Sequence, residues 1–549
     1  MRSAPPVHTA TVHDGLVLAG GPLTVEISRR PFAIDVRRDG RRLIRGFGIW
    51  CADGEVGDQF IQFTEGVIAS EELEIPERVV SATLAEPLAD GAELALRFDG
   101  GRGGRLRVTL PGDGTVRFEL AVDGAPLRHA AGWDARAEEH FAGLGARHAL
   151  RVDHAGRRIQ LGADRAYTGP DCPPDMLAIG GVPQGDYAPA PWFQSSRGYA
   201  VHAGGHGNGM RFHFGADRTT VSARCNAGPL RLTLFTNRSP ATRLRRHLQE
   251  TGMPPVLPEW GYGFWKSRDV YGHQTEVEDD FHGCADNAIA LDALVLDSPW
   301  ETQYNTWIPN PHQFTDFEGM VNEFRAAGVR TVVWVTPWVN VDSSEGQTPP
   351  DAESRGLHRA PASNHAAGEA GGHYVRGPDG EAFVTRWWMG TGSPIDFTSP
   401  GAERWWREQA KTALRLGVEG IKADDGEGYY FPDDVRLADG AAARTPPGGW
   451  AACIGAACSA RSTRSTPAAA CSSAAAAGPA SRRPGCSGAA TRRRTSGRCG
   501  CSSRRRSPPP RPASRTGRTT SAATSATASS SAARPSCSCA GRSWAASRR

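Results

Sequence analysis

Four short apolar runs, separated by helical segments, constrain the fold of residues 257–440 more than any other feature of the sequence. The runs are YGFW (262–265), ALDALVLD (290–297), VRTVVWVTPW (329–338) and VEGIKAD (418–424). The helical segments include FEGMVNEFRAAG (317–328) and PGAERWWREQAKTALRLG (400–417). Strands that are apolar on both faces and alternate with helices indicate a parallel sheet.

Polar and aromatic residues at the ends of these runs favour a β/α barrel. In such a barrel the carboxyl ends of the strands form the active face, which here would collect Asp297, Trp338 and Asp424. A doubly wound open sheet is the competing fold, but no glycine-rich phosphate loop follows the first run. We therefore expect residues 257–440 to form the first half of a (β/α)8 TIM barrel, with four strands.

In the first 240 residues, the apolar residues recur with a different period. FAIDVRRDGRRLI alternates apolar and polar residues on both sides of Asp39-Gly40, and RLRVTLPGDGTVRFELAV does so on both sides of Pro111–Gly114. Both patterns are typical of β-hairpins, so we expect residues 1–240 to form a β-sandwich domain. Residues 241–256 then read as a helical linker, because ATRLRRHLQETG ends at a glycine that Met253-Pro254-Pro255 follow.

Residues 441–549 differ from the rest in composition. They contain nineteen arginines, no lysine, no acidic residue, and no Leu, Val, Phe, Tyr or Met. Such a low-complexity segment, rich in Ala, Arg, Ser and Pro, cannot bury enough apolar surface to fold, so we expect it to be disordered. Because this composition is typical of GC-rich coding DNA read in the wrong frame, we interpret the segment as out-of-frame translation. The alternative is a basic arm that binds nucleic acid, although aromatic residues that could stack on bases are almost absent.

Without that tail the chain is acidic. Residues 1–440 carry 44 basic and 59 acidic side chains, a net charge of −15. Their four cysteines are widely spaced, and the eight cysteines of the tail lack the histidines and spacing of a zinc site. The N-terminus has no apolar signal region, and no run approaches a membrane span. We expect a cytoplasmic protein with no metal and no nucleic-acid or membrane partner.

Lys422 and Asp424 lie two positions apart at the end of the fourth run. Alternate residues of a strand share a face, so both side chains would point into the mouth of the barrel if Ile421 packs outward. A neighbouring ammonium group favours the ionised form of a carboxyl group, which a nucleophile requires. The alternative is that Asp424 and Asp425 are only turn and cap residues.

The pattern formed by Lys422, Asp424, Gly426 and Glu427 resembles the nucleophile motif of glycoside hydrolase family 31, in the Lys-x-Asp-x-Gly-Glu branch best known for α-xylosidases. Other segments between residues 130 and 440 also resemble this family. They are HFAGLGARHAL (140–150), SSRGYAVH (195–202), LPEWGYGFWKSRDVYG (257–272), LDALVLDSPW (291–300), FTDFEGMVNEFRAAGVRTVVWVTPWV (314–339) and SPIDFTSPGAERWW (393–406).

The resemblance implies a retaining, exo-acting α-xylosidase or related α-glycosidase that hydrolyses an oligosaccharide or glycoside without a cofactor. Asp424 would be the nucleophile, Lys422 would bind a sugar hydroxyl, and Asp297 would accept hydrogen bonds from the sugar. Trp334 matches an aromatic residue of the sugar subsite, although the sequence alone would equally allow a core role. The remaining candidates for substrate contact are Trp338, Glu427, Trp388 and Tyr271.

Two features depart from the family pattern. The α-glucosidase pattern has a second aspartate two residues after Asp297, where this chain has Pro299. The acid/base aspartate, an arginine and a histidine of the family would all follow the fourth strand, yet no acidic residue follows Asp439. We therefore expect the protein to be inactive as written. The alternative is a non-catalytic carbohydrate-binding protein.

Overall fold

The computed structural model describes most of the first 440 residues and one short strand beyond them. The described ranges are 7–61, 66–146, 152–161, 188–204, 210–225, 228–253, 256–344, 346–387, 389–424, 430–432, 435–440 and 470–473. The chain divides into two units, Met1–Pro484 and Gly485–Arg549. Since the second unit lies outside the described residues, the following account concerns the first.

Nineteen strands lie between His8 and Phe235 in the described part of the chain. They are β1 His8–Val12, β2 Gly15–Gly20, β3 Leu23–Arg29, β4 Phe32–Arg38, β5 Arg41–Ala52, β6 Gly54–Ile61, β7 Gly66–Leu73, β8 Glu77–Leu88, β9 Gly91–Phe98, β10 Gly103–Thr109, β11 Thr115–Val122, β12 Arg128–Asp134, β13 Phe141–Ala146, β14 Arg158–Gln160, β15 Ala188–Ser195, β16 Tyr199–Gly204, β17 Arg211–Phe214, β18 Arg218–Arg224 and β19 Leu230–Phe235.

These strands pair antiparallel and enclose one apolar core, which we call the sheet region. Alternate residues of β3, β4 and β9 to β11 are buried, as a sheet with one face on the core requires. Phe47 on β5 stacks on Phe118 on β11 with ring centroids 4.7 Å apart, although these two strands are not hydrogen-bonded to each other. The core therefore lies between two facing layers of strands, as expected for a sandwich.

Both predicted hairpins are present. β4 and β5 are joined by Asp39 and Gly40, whose φ angles of 49° and 75° fit the two positive angles of a type I′ turn. β10 and β11 pair through the turn that contains Gly112 and Gly114, with φ angles of 81° and 84°. Asp113 stabilises this turn because its carboxylate accepts a hydrogen bond of 3.0 Å from the N–H of Thr115.

Helix α1 (Pro240–Thr251) joins the sheet region to the rest of the chain. Ser239 caps it by accepting a hydrogen bond of 3.1 Å from the N–H of Thr242. Arg243, only 3% exposed, donates to the side chain of Gln194 at 3.0 Å. The helix is therefore attached to β15 by a buried guanidinium group.

Strands and helices alternate after α1. The described elements are a 3-10 turn at Glu259–Tyr262, β20 Trp265–Arg268, α2 Gln274–Asp286, β21 Ala293–Leu296, α3 Phe317–Ala326, β22 Arg330–Val335, β23 Trp338–Asp342, α4 Ala352–Arg359, α5 His365–Ala370, β24 Thr385–Trp387, β25 Gly390–Pro394, α6 Pro400–Arg415, β26 Gly420–Ala423 and β27 Ala470–Ser473. None of the helices in the described ranges has the length and apolar character that crossing a membrane requires.

The barrel strands form a parallel sheet in the order β20-β21-β22-β26-β27. The sequence predicts four strands that end before residue 441, and this expectation is wrong for Ala470–Ser473, which pairs in parallel with β26. The difference has a simple origin, since a strand pair needs only backbone N–H and C=O groups, which a segment poor in apolar residues also supplies.

Two apolar runs fold differently from the prediction. The first strand comprises Trp265–Arg268 instead of residues 262–265, because Glu259–Tyr262 forms a 3-10 turn. The third run is divided after Val335: Trp338 begins a new strand, which pairs antiparallel with β25 in a small three-stranded sheet. Pro337 explains the division, because proline has no N–H for the parallel ladder.

Candidate active site

The register of the parallel strands determines which side chains share the inner face of the sheet. Val295 pairs with Val332, and Trp334 pairs with Lys422. Because lateral neighbours in a parallel sheet point to the same side and alternate residues share a face, Trp334 and Lys422 lie on one face. Asp297 and Asp424, two residues beyond Val295 and Lys422, continue that face at the carboxyl ends of their strands.

Apolar residues lie on both faces of this sheet. Leu296, Val333 and Ile421 alternate with the residues of the inner face, and they belong to a large cluster that includes Phe324 of α3 and also Trp334. Ala293, Val295 and Val332 form a small cluster of their own, against which Trp260 and Trp265 pack. The small cluster lies on the inner face, closer to the amino ends of the strands than the polar residues.

Lys422 connects the two aspartates. Its Nζ donates to Oδ2 of Asp297 at 2.7 Å and lies 3.3 Å from Oδ2 of Asp424. The three side chains remain partly accessible, with exposures of 28% for Lys422, 13% for Asp297 and 20% for Asp424. A ligand at the carboxyl ends of the strands could therefore reach all three.

Burial and charge act in opposite directions on this cluster. Burial alone would lower the pKa of Lys422, but the carboxylates of Asp424 and Asp297 outweigh it and raise that pKa. Burial raises the pKa of Asp297, against the attraction of Lys422 and a hydrogen bond from the N–H of Ser298. The raised pKa of Lys422 means that the ammonium form persists at neutral pH.

Trp334 fixes the second aspartate. Its indole Nε1 donates to Oδ2 of Asp424 at 2.8 Å, the same oxygen that faces Lys422. The N–H of Asp424 donates to the carbonyl of Val335 at 2.9 Å, which continues the ladder between β22 and β26 by one residue. Asp424 is therefore held through both its backbone and its side chain, whereas a simple turn residue needs neither contact.

Two of the predicted residues lie elsewhere. Tyr271 is 2% exposed and donates its hydroxyl to Asp280 at 2.9 Å, so it does not join the Asp424 cluster. Trp338 is fully buried and stacks on Trp387 and Phe431, with ring centroids 6.0 and 5.6 Å apart. Trp338 therefore packs in the core and is not an open platform for a sugar.

Two further predicted residues, Trp388 and Glu427, lie outside the described residues. Their roles stay predictions. Among the residues that are described, no group of three or more His, Cys, Asp or Glu side chains is arranged to bind a metal ion.

An ion-pair network on the outer face of β20 is not predicted by the sequence patterns above. Asp280 on α2 accepts from Lys266 at 2.8 Å and from both Nε and Nη2 of Arg268 at 2.7 Å. Burial raises the pKa of Asp280, but these donors together with Tyr271 lower it to about 2. The alternation of Lys266 and Arg268 on a strand could have indicated that both point away from the inner face.

Comparison with known proteins shows which family the barrel region resembles. Residues 254–472, which include Asp297, Lys422 and Asp424, match the model of the glycosyl hydrolases family 31 TIM-barrel domain. This part of the chain is therefore similar to the family 31 barrel domain. The match continues beyond residue 440 and includes most of β27.

The curated proteins that this chain resembles are distant in sequence. An α-xylosidase from Emericella nidulans is 25% identical over 251 residues, which cover 45% of this chain and 30% of that protein. The chain thus spans about a third of the length of this curated relative.

Two solved structures share the fold. A family 31 sulfoquinovosidase from E. rectale, in complex with an aza-sugar inhibitor, superposes with a TM-score of 0.63 at 16% identity, covering 86% of this chain and 67% of that one. A cycloalternan-degrading enzyme from Trueperella pyogenes, in complex with a covalent intermediate, gives a TM-score of 0.54 at 19% identity, covering 75% of this chain and 58% of that one.

Proposed function

We propose that this chain derives from a retaining α-glycosidase of the α-xylosidase type, with Asp424 as its nucleophile. The observation that carries the proposal is the arrangement around Asp424. Its Oδ2 accepts the indole N–H of Trp334 and faces the ammonium group of Lys422, which also binds Asp297. A partly exposed carboxylate held by these donors at the end of a barrel strand is suited to attack an anomeric carbon.

The first chemical step forms a bond between an Asp424 oxygen and the anomeric carbon, while the bond to the leaving group breaks and its electron pair departs with that group. Lys422 lies beside the nucleophile, and Asp297 is placed to accept hydrogen bonds from sugar hydroxyls. In the second step water releases the sugar from the ester. The cycloalternan-degrading relative, whose structure holds a covalent intermediate, supports this route by analogy.

The type of sugar that the site would bind is inferred from two observations. The curated relative described above is an α-xylosidase, and Pro299 stands where the α-glucosidase pattern has an aspartate. Both favour a xylosyl unit, which lacks the hydroxymethyl group of glucose.

We further propose that turnover of ordinary glycosides is lost in this chain. A retaining glycosidase needs a second carboxyl group about 5–5.5 Å from the nucleophile to protonate the leaving oxygen. The family resemblance puts that group within residues 441–549, the region interpreted as out-of-frame translation, and no acidic residue follows Asp439. Losing general acid–base assistance costs about 10²- to 10⁴-fold in rate. If residues 441–549 are out-of-frame translation, the coding DNA after codon 440 encodes, in another frame, an aspartate within an apolar, periodic sequence.

An activated substrate analogue tests the nucleophile without the missing acid. In 5-fluoro-α-xylosyl fluoride, the leaving fluoride needs no proton and the second fluorine slows hydrolysis of the ester. We expect the folded protein to gain one 5-fluoroxylosyl group on the peptide that contains Asp424, detected by mass spectrometry. Heat-denatured protein is the control, because reaction there would be non-specific. A folded protein that stays unlabelled at millimolar reagent would contradict the proposal.

The same experiment separates a second candidate function, a carbohydrate-binding protein without catalysis. The absence of acidic residues after Asp439 favours it. This alternative predicts that xylose or a xyloside binds measurably by calorimetry while the fluoride reagent leaves Asp424 unmodified.

A further inference from the structure

A buried carboxyl group lies in the loop between β21 and α3. Glu301 is 2% exposed, and within the described part of the chain its carboxyl group is influenced by burial and two backbone N–H groups, with no lysine or arginine among its partners. Its Oε2 accepts the N–H of Asn305 at 2.9 Å, and its Oε1 accepts the N–H of Trp307 at 2.6 Å. Both oxygens therefore bind the backbone of the same loop.

The two residues that Glu301 holds have unusual backbone angles. Asn305 and Trp307 both have a φ of 64°. Asparagine tolerates this left-handed region, whereas a bulky side chain such as that of Trp307 rarely adopts it, so the backbone of this loop is strained. Such a loop needs contacts that fix it, and the carboxyl group of Glu301 supplies one to each strained residue.

Asn305 transmits this geometry to the end of β22. Its side-chain oxygen accepts the N–H of Thr336 at 2.8 Å, and its Nδ2 donates to the hydroxyl of the same residue at 2.8 Å. Nδ2 also donates to the carbonyl of Trp338. The loop is thus hydrogen-bonded to the residues that directly follow the strand carrying Trp334.

The same loop also contacts Trp334 itself. The indole N–H of Trp300 donates to the carbonyl of Trp334 at 2.7 Å, and the ring of Tyr304 meets the Trp334 ring edge-on at 5.9 Å. Trp334 in turn donates to Asp424 at 2.8 Å. The contacts from Glu301 to Asp424 therefore run through the loop and the Trp334 ring without a gap.

We propose that Glu301 is a positioning residue, which orients the Trp334 indole and through it the carboxylate of Asp424. Its effect on the reactivity of Asp424 rests on the proposed function, whereas its effect on the Trp334 hydrogen bond does not. Burial raises the pKa of the Glu301 carboxyl to about 8, and the N–H groups of Asn305 and Trp307 act against that rise. Ionising the Glu301 carboxyl at this buried position is energetically unfavourable. Retaining a carboxyl group there is consistent with a role beyond packing.

The variant Glu301→Gln tests the proposal, because its amide keeps the shape but directs N–H groups at one of the two backbone donors. Two readouts apply. The first is the indole ¹H–¹⁵N resonance of Trp334, assigned with Trp334→Phe, which should move toward its position in Asp424→Asn. The second is labelling by 5-fluoro-α-xylosyl fluoride, whose maximal rate should fall on the order of 10- to 100-fold while the apparent dissociation constant changes less. Glu318→Gln, at an exposed position on α3, is the matched control.

The outcomes are distinguishable. If the parent protein labels normally and Glu301→Gln changes neither the resonance nor the rate, the positioning role is wrong and the proposed function stands. If the parent protein does not label but the resonance moves, the proposed function fails and the positioning role stands. If Glu301→Gln does not fold, Asn305→Gly decides, since glycine accepts the left-handed angle and keeps the N–H but removes the side chain that reaches Thr336. An unchanged resonance in that variant would overturn the proposal.

Discussion

Two carboxylates in this molecule have the same kinds of neighbours but different surroundings. In the sheet region, Glu139 accepts hydrogen bonds from Tyr199 at 2.7 Å and Ser195 at 2.5 Å, and Arg197 lies 3.6 Å away. In the barrel region, Asp424 accepts from Trp334 and lies 3.3 Å from Lys422. Each carboxylate thus combines an aromatic donor with a cation.

Exposure separates the two sites. The side chain of Glu139 is 0% exposed, whereas that of Asp424 is 20% exposed. Antiparallel layers enclose Glu139 inside a core, while a parallel sheet brings Asp424 to the ends of its strands. A hydrogen-bonded carboxylate beside an aromatic ring and a cation is therefore insufficient to identify a reactive group. The position on the fold decides whether a ligand can reach it.

The largest expected effect concerns Asp424. We expect Asp424→Asn to abolish labelling by 5-fluoro-α-xylosyl fluoride, a loss of roughly 10³-fold or more, because an amide cannot form the glycosyl ester. Labelled peptide is measured by mass spectrometry. Glu139→Gln, which alters the enclosed carboxylate, should label at the parental rate wherever it is folded. Equal labelling of Asp424→Asn and the parent protein would show that another residue reacts.

Removing the enclosed carboxylate should affect stability instead. Glu139→Gln leaves Arg197 and the buried hydroxyl groups without their anionic partner, so we expect the free energy of unfolding to fall by about 3 kcal/mol. Urea denaturation measures this change. Since Arg231–Glu119 is a surface pair with both side chains about half exposed, Glu119→Gln is the matched control and should cost less than about 1 kcal/mol. An equal loss of unfolding free energy in both variants would show that the burial of Glu139 does not make its contacts more stabilising than those of Glu119.

Removing the shared cation of the barrel site should have a smaller effect on reactivity. We expect Lys422→Met to slow labelling roughly 10- to 100-fold, because Asp297 and Asp424 then face each other without the ammonium group between them. A labelling rate that matches the parent protein would show that Lys422 does not assist Asp424.

The pH dependence of stability should have opposite signs in the two regions. In the sheet region, burial lowers the pKa of His202 to about 3, and burial lowers the pKa of its neighbour His247 on α1 to about 4, both from an ordinary value of 6.5. The contribution of these two residues is therefore present above pH 6.5 and lost as the pH falls toward the lowered values. In the barrel, burial raises the pKa of Glu301 from 4.5 to about 8, so its contribution is present below pH 4.5 and lost as the pH rises through 8.

Each group changes the free energy of unfolding by at most about 1.4 kcal/mol per pH unit inside its window. Denaturation curves between pH 4 and 9 measure these slopes. His202→Phe should flatten only the acidic limb, and Glu301→Gln only the limb between pH 5 and 8. A variant that flattens the opposite limb would contradict the assignment.

The sequence predicts most of the sheet framework because its signals are local. Hairpin turns such as Asp39-Gly40 carry their own conformational preference, and the alternation of Lys422 and Asp424 already puts both on one face. The grouping of Asp297, Trp334 and Asp424 follows from strand-end positions once a parallel sheet is assumed. These inferences need only the alternation of residues along each strand and the parallel arrangement of the strands.

The structural features that the sequence does not predict depend on long-range contacts, which no local pattern encodes. Glu301 is one acidic residue in a loop, and nothing in WETQYNTW reveals that both of its oxygens bind left-handed residues of that loop. Tyr271 follows the first barrel strand, as an active-site residue would, yet pairs with Asp280 on a helix. The strand at Ala470–Ser473 has almost no apolar signal and is recognisable only from its pairing with β26.

The backbone link from Asp424 to Val335 has a mechanical consequence. That backbone bond and the indole of Trp334 both join Asp424 to β22. Small thermal motions of the sheet should therefore move Asp424 and Trp334 together. Asp297 directly follows β21, which pairs with β22 on the side away from β26, and its carboxylate is linked to Asp424 through the long, flexible side chain of Lys422. Any adjustment of the pocket to ligands of different width would therefore occur on the Asp297 side.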